Sequence, residues 1–265
     1  MKTKVVLCTF SSLYSSTVLR TLLAADEVEV VGVVNSTRLL KKQYGLLSSA
    51  RAMLRQSGWR YVAYHLWLTD MFALLQPLSS RKTIQRLCKE ADIPVHHTAD
   101  VNDAESIRFI RAINPDVLVS AYFNQLVHRE VRELPRYGAI NIHPSLLPDF
   151  RGADPVFHAL LRESPNIGVT VHYMDESFDT GNIVRQGVMQ VRADASVLSH
   201  YDALFAQGAQ LAIQALRQVR MGWPGALQAE GGAYLGWPDR QSVSTFHKRG
   251  RQLMTWKEYF EMIAK

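Results

Sequence analysis

The sequence predicts an α/β fold, Rossmann-like, with a mostly parallel sheet and helices on both faces. Two observations lead to this class. Short apolar runs rich in β-branched residues alternate with segments whose apolar residues recur at helical spacing. The length of 265 residues and the hydrophobic fraction of 47% suit one such domain with a modest appendage. We expect its ligand crevice at the carboxyl ends of the strands.

The predicted strands of the first half are short and buried. They are Val5–Thr9, Val28–Val34, Ile93–His96 and Val117–Phe123. A serine-rich bend at 11–16 follows the first strand and leads into a helix through Val18 and Leu22. A second helix, around Ile107 and Ile110, precedes the fourth strand. No Gly-x-Gly-x-x-Gly turn follows the first strand, so no nicotinamide cofactor is predicted.

A helical insertion is expected over Leu39–Ala91, with a strongly apolar centre at Trp59–Leu78. Three interpretations remain open for that centre: a core or dimer helix, a cap over a hydrophobic substrate, or a helix lying on a membrane surface. Its uninterrupted apolar runs are too short to span a bilayer.

Near the end of the chain, the spacing of apolar residues predicts a long helix over Ser196–Met221 and a final helix over Trp256–Ile263. We therefore expect a catalytic domain at residues 1–220 and a short C-terminal extension at residues 221–265. A homodimer through the apolar helix at 59–78 or through this extension is a further expectation.

Charge and cysteine content limit the function classes. The net charge of +6 favours anionic partners, but no arginine-rich tract or nucleic-acid motif is present. The two cysteines are too few for a disulfide framework or a cysteine-based metal site. The N-terminus has no secretory signal, so a cytoplasmic location is expected.

Candidate chemistry concentrates between residues 138 and 181. Ile140–His143 is predicted as a strand, and because side chains alternate, Asn141 and His143 share one face. Asp154 and Pro155 are predicted to start a helix as N-cap and first residue. A strand over Gly168–Met174 leads to Asp179, which lies just before a turn glycine.

His143, His172 and Asp179 also match a two-histidine, one-carboxylate metal site. The amide of Asn141 suits an oxyanion better than a metal, so no metal is predicted.

This region closely resembles the folate-dependent formyltransferases, which include methionyl-tRNA, glycinamide-ribonucleotide and sugar-nucleotide N-formyltransferases. The matching elements are Asn141-x-His143-Pro144-Ser145-Leu146-Leu147-Pro148, Arg151-Gly152, Pro155, Gly168–His172 and Asp179-Thr180-Gly181. The resemblance covers residues 1–190 more weakly, and it fades in the insertion and the tail. It implies the formyltransferase fold and 10-formyltetrahydrofolate as co-substrate.

The resemblance also implies roles for particular residues. Asn141, His143 and Asp179 would be the catalytic trio. The folate would lie against Phe123, Asn124, Leu126 and Asp175. Substrate contacts are expected from Ser11, Ser12, Ser145, Arg151 and His172.

The acceptor is expected to be the amine of a small molecule, either an amino-sugar nucleotide or a secondary-metabolite amine. Transfer RNA is the weaker candidate, because only a short segment follows the long helix, where tRNA formyltransferases carry a further β-barrel domain. The remaining alternatives are a tRNA formyltransferase lacking that domain, a formyl-folate hydrolase, and a folate- or nucleotide-binding module without catalysis.

Overall fold

The computed structural model describes residues 2–38 and 46–264 and shows a seven-stranded sheet in the order β3-β2-β1-β4-β5-β7-β8. The strands are β1 (Thr3–Thr9), β2 (Val28–Ser36), β3 (Val95–Thr98), β4 (Val117–Ala121), β5 (Ala139–His143), β7 (Asn166–Tyr173) and β8 (Ile183–Gln190). The first five strands pair in parallel, whereas β7 pairs antiparallel with both β5 and β8. The mostly parallel sheet is thus confirmed. Two short strands, β6 (Arg151–Gly152) and β9 (Tyr234–Leu235), pair separately.

Helices cover both faces of the sheet, as predicted. They are α1 (Leu13–Leu23), α2 (Leu46–Ser57), α3 (Trp59–Leu66), α4 (Phe72–Leu74), α5 (Ile84–Glu90), α6 (Ala104–Ile113), α7 (Arg129–Arg132), α8 (Pro155–Leu161), α9 (Val197–Arg220), α10 (Arg240–Lys248) and α11 (Trp256–Ile263). Successive side chains of β1 point to opposite faces of the sheet and therefore belong to two different hydrophobic cores. Val5 and Leu7 pack with α1 and α9, while Val6 and Cys8 pack with α6 and α7.

The predicted insertion is helical from Leu46 onward, and residues 39–45 lie outside the described part of the chain. Its apolar centre comprises α3, a π-helical turn (Trp67–Met71), α4 and a 3₁₀ turn (Gln76–Leu78). Tyr61, Tyr64 and Leu68 are buried at helical spacing, so this segment presents one face to the core. Its other face exposes Trp59 and Leu78. Within the described ranges, no helix is long and apolar enough to cross a membrane.

The residues after 220 fold back onto the rest of the chain. Thr255 and Glu258 form a capping box at the start of α11. The same glutamate carboxylate accepts from the Ser196 backbone N–H at 3.0 Å and from the Ser199 hydroxyl at 2.5 Å, at the start of α9. The Tyr259 hydroxyl donates to the Trp67 carbonyl. The division at residue 220 stays a prediction.

Candidate active site

A cavity of about 300 Å³ opens at the carboxyl ends of β4 and β5. Ser120 and Tyr122 line it from the end of β4, and Asn141 and His143 from the end of β5. The crevice therefore lies where the strand–helix alternation predicts it. Its wall is completed by the loop containing Asp179.

The Asp179 carboxylate joins the predicted trio. Its Oδ1 lies 3.4 Å from Asn141 Nδ2, 3.4 Å from His143 Nδ1 and 3.6 Å from His172 Nε2. Oδ2 accepts the Gly152 backbone N–H at 2.9 Å. The structure thus brings an amide, two imidazoles and a carboxylate together around one oxygen atom.

Hydrogen bonds determine the orientation of the Asn141 side-chain amide. His172 Nδ1 lies 2.7 Å from the Tyr173 carbonyl, so this nitrogen carries the proton and Nε2 is an acceptor. Asn141 Nδ2 donates to that Nε2 at 3.1 Å. The second Asn141 N–H faces Asp179 at 3.4 Å, which is long for a hydrogen bond and leaves that donor available to a ligand.

Burial and charge set the protonation of the site. Burial lowers the pKa of His143, and the adjacent Asp179 carboxylate offsets part of this effect. Burial alone would raise the pKa of Asp179. His143, His172 and the Gly152 N–H outweigh it and hold that pKa at about 2. At neutral pH the site therefore contains an ionised carboxylate beside a neutral His143 ring, whose Nε2 lies 3.0 Å from the Phe150 carbonyl.

The loop that contains Asp179 requires a glycine at position 181. A Cβ atom at this position would lie 1.9 Å from the Tyr173 carbonyl oxygen, so only glycine allows the close approach. Asp179 itself has φ of +59°, a left-handed conformation in which Asp and Asn are favoured over most residues. The turn thereby aims the carboxylate into the cavity.

The residues predicted to contact folate all line the cavity: Phe123, Asn124, Leu126 and Asp175. The Asn124 side chain also accepts from the Ser36 hydroxyl at 2.7 Å and donates to the Arg38 carbonyl. Their assignment to folate remains a prediction.

The predicted substrate residues divide into two groups. His172 lines the cavity, whereas Ser11, Ser12, Ser145 and Arg151 are not among its lining residues. Ser11 donates to Asn35, Ser12 caps α1, and Ser145 donates to the Asp149 carbonyl. The Arg151 guanidinium donates to the Gln228 side-chain oxygen at 2.8 Å. Their substrate roles stay predictions.

Asp154 is the N-cap residue of α8, as predicted, but its side chain does not cap the helix. It precedes α8, but its φ of +50° is left-handed and its side chain makes no capping bond. The buried carboxylate instead accepts hydrogen bonds from the hydroxyls of Tyr61 and Tyr201. Burial raises the pKa of Asp154. The predicted N-cap position of Asp154 and the first-turn position of Pro155 are confirmed, whereas the carboxylate bonds to two buried phenols instead of the helix N–H groups.

Several aromatic residues of the cavity wall are absent from the predicted site: Phe10, Tyr14, Tyr64, His65, Tyr122, Tyr201, Phe205, Tyr234 and Trp237. Part of this wall agrees with one of the three interpretations of the apolar segment at 59–78, namely a cap over a hydrophobic substrate. Tyr64 and His65 come from that run, whereas Trp237 comes from the C-terminal residues. Across residues 2–38 and 46–264, no group of three or more His, Cys, Asp or Glu side chains could hold a metal ion.

A family profile described as "Formyl transferase" matches residues 71–216, more than half of the chain. The chain belongs to the formyltransferase family. A methionyl-tRNA formyltransferase from Methylacidiphilum infernorum is 38% identical over 139 residues, or 52% of this chain. The match covers 43% of that relative, so the chain spans less than half of its length.

Two solved formyltransferases support the same fold. Glycinamide ribonucleotide transformylase 1 from Symbiobacterium toebii superposes with a TM-score of 0.57 at 17% identity, covering 83% of this chain and 89% of that one. The formyltransferase PseJ from Anoxybacillus kamchatkensis, in complex with UDP-4,6-dideoxy-4-formamido-L-AltNAc and tetrahydrofolate, has a TM-score of 0.50 at 27% identity. That match covers 69% of this chain and 93% of PseJ.

Proposed function

We propose that this formyltransferase moves the formyl group of 10-formyltetrahydrofolate to the amine of a small molecule, an amino-sugar nucleotide or a secondary-metabolite amine. The observation that carries the proposal is the meeting of Asn141, His143 and Asp179 in one cavity at the carboxyl ends of the strands.

The trio suits attack of an amine on a formyl carbon. Negative charge develops on the formyl oxygen during attack, and the Asn141 N–H that faces Asp179 is a donor for it. His143 is a second donor, and the ionised Asp179 stabilises the positive charge that this ring gains when it takes up a proton. The carbon–nitrogen bond to the folate then breaks, its nitrogen gains a proton, and the amine loses one. A donor of this kind typically lowers the barrier by about 3 kcal/mol.

The folate co-substrate is supported by both similarity and shape. PseJ is solved with tetrahydrofolate and a formylated sugar nucleotide. In this chain, Phe123 and Met174 give one end of the cavity an apolar wall suited to a flat heterocycle. We assign Phe123, Asn124, Leu126 and Asp175 to that ligand.

Transfer to initiator tRNA is the second candidate, because relatives that are 38% and 34% identical to this chain over 139 residues are methionyl-tRNA formyltransferases. We favour the small-molecule amine because PseJ, at 27% identity, is solved in complex with a formylated sugar nucleotide and tetrahydrofolate. A cytoplasmic location and a homodimer through residues 59–78 or the C-terminal extension complete the proposal.

Incubation with 10-formyltetrahydrofolate and a panel of amino-sugar nucleotides, amino acids and initiator tRNA tests the assignment. Release of tetrahydrofolate that depends on one of the amines is expected. Equal release without any amine would instead indicate a hydrolase. Folate binding without turnover on any acceptor would indicate a binding module.

A further inference from the structure

The cavity has two ends that belong to opposite faces of the sheet. Phe123 and Met174 pack against the core that contains Val6 and Cys8. Tyr122, one residue before Phe123, packs against the other core, with α1 and α9. Beyond the end of β4, the chain thus passes from one side of the sheet to the other between Tyr122 and Phe123, and the two ends of the cavity lie on opposite sides.

Aromatic side chains line this second end of the cavity. We call it the aromatic chamber and define it by Tyr14, Tyr64, His65, Tyr122 and Trp237. The Tyr14 and Tyr122 rings meet edge to face with centroids 5.3 Å apart, and those of His65 and Trp237 do so at 5.5 Å. The Tyr14 and Tyr64 hydroxyls are hydrogen-bonded to each other. These contacts hold the rings in place.

Charge in the cavity has one sign. Its charged lining residues are Asp154, Asp175 and Asp179, and no Lys or Arg is found among the described residues that line it. The nearby Arg151 guanidinium is bonded to Gln228 instead. A phosphate placed here would face these carboxylates, with no cation among the described lining residues to offset them.

The start of α1 uses several of its backbone donors within the chain. The Ser11 backbone N–H donates to the Asn35 side-chain oxygen at 2.9 Å. Ser12 and Ser15 form a reciprocal capping box that uses both of their backbone N–H groups. Three backbone donors at this helix start are therefore already bonded within the chain and are not available to a phosphate.

The His65 ring of the chamber has a nitrogen atom that lacks a partner among the described residues. His65 Nε2 is buried and forms no hydrogen bond within the described part of the chain, while Nδ1 lies 3.5 Å from the Tyr122 hydroxyl. Because buried polar atoms are almost always hydrogen-bonded, this nitrogen points to a partner supplied by a bound molecule.

We propose that the acceptor amine is carried by an uncharged aromatic or similarly flat apolar group that fills the aromatic chamber and bonds to His65 Nε2. This inference rests on the proposed function and selects within it: an unphosphorylated amine rather than a sugar nucleotide. The amino group then reaches the Asn141–His143–Asp179 trio through the same cavity.

Tyramine and tyramine O-phosphate test the inference, because they differ only in the phosphate. Calorimetric titration of the full chain with 5-formyltetrahydrofolate present should show tyramine binding at least about tenfold more tightly. Equal or reversed affinities would overturn the inference. His65→Ala should weaken tyramine binding by about tenfold, and unchanged binding by a folded variant would also contradict it.

Two variants that each add one positive charge test whether a cation in the cavity would favour the phosphorylated amine. Met53→Arg places a cation in the cavity wall, and Leu54→Arg adds the same charge at the next, exposed position outside it. Only Met53→Arg should improve the relative affinity for the phosphate, by about tenfold. Formyl transfer that proceeds only with phosphorylated amines would defeat the inference and leave the proposed function intact. No transfer to any amine, with the tyramine preference retained, would defeat the proposed function alone.

Discussion

Replacing Asp179 with Asn removes one negative charge while preserving the shape of the site. Asparagine tolerates the left-handed backbone of this position, and its carbonyl oxygen can still accept the Gly152 N–H. The variant loses the charge that faces Asn141, His143 and His172. We expect kcat/KM for formyl transfer to fall by about a hundredfold or more, because the charge supports the donors at the formyl oxygen.

The stability effect follows from the pKa of Asp179, which folding lowers from an ordinary value of 3.8 to about 2. A depressed carboxyl pKa stabilises the folded state above the unfolded pKa, and this contribution disappears as pH falls through the folded pKa. At about 1.4 kcal/mol per pKa unit, the contribution above the unfolded pKa is at most about 2 kcal/mol, because part of it depends on the charge of His143. The difference between wild type and Asp179→Asn should thus be present at pH 7 and shrink between about pH 4 and pH 2.

Urea denaturation at pH 7 and pH 3 measures this difference, with the exposed Asp194→Asn as the matched control. The control should change neither the unfolding free energy nor turnover. A pH-independent stability loss in Asp179→Asn, or near-normal turnover, would refute the electrostatic reasoning.

Three further changes test other contacts. Asn141→Ala should lower turnover by about a hundredfold while circular dichroism shows an intact fold; near-normal turnover would remove this amide from the mechanism. Gly181→Ala forces a Cβ atom against the Tyr173 carbonyl and should lower both melting temperature and turnover, whereas Gly236→Ala has open space and should change neither. Glu258→Gln weakens the α11 cap and its bonds to α9, and should lower the unfolding free energy by about 1 kcal/mol in chemical denaturation; an unchanged value would contradict this role.

The sheet was largely predictable because its strands are buried and rich in β-branched residues. The predicted runs at Val5–Thr9 and Val28–Val34 fall within β1 and β2. No strand is predicted at Ile183–Gln190, where the structure has β8. Only Val184 is buried in this strand, which forms by antiparallel pairing with β7, so its apolar signal is weak.

The shared face of Asn141 and His143 was predictable because they are two residues apart on one strand, whereas Asp179 was grouped with them by the resemblance to the formyltransferases. The aromatic chamber was not predictable, because its residues are far apart along the chain. Tyr14, Tyr64 and Trp237 meet only when α1, α3 and the C-terminal residues pack together. Asp154 shows a related limit, since its sequence context predicts a helix cap whereas tertiary phenol contacts determine its side-chain position.

The most direct test of the central claim follows the fate of the formyl carbon. Wild-type protein is mixed with 10-formyltetrahydrofolate carrying a ¹³C-labelled formyl group and an acceptor amine, and the label is followed by NMR. The proposed chemistry predicts a formamide signal that grows with tetrahydrofolate release and is reduced about a hundredfold in Asn141→Ala. A label that appears as formate, or a formamide yield unaffected by the substitution, would contradict it.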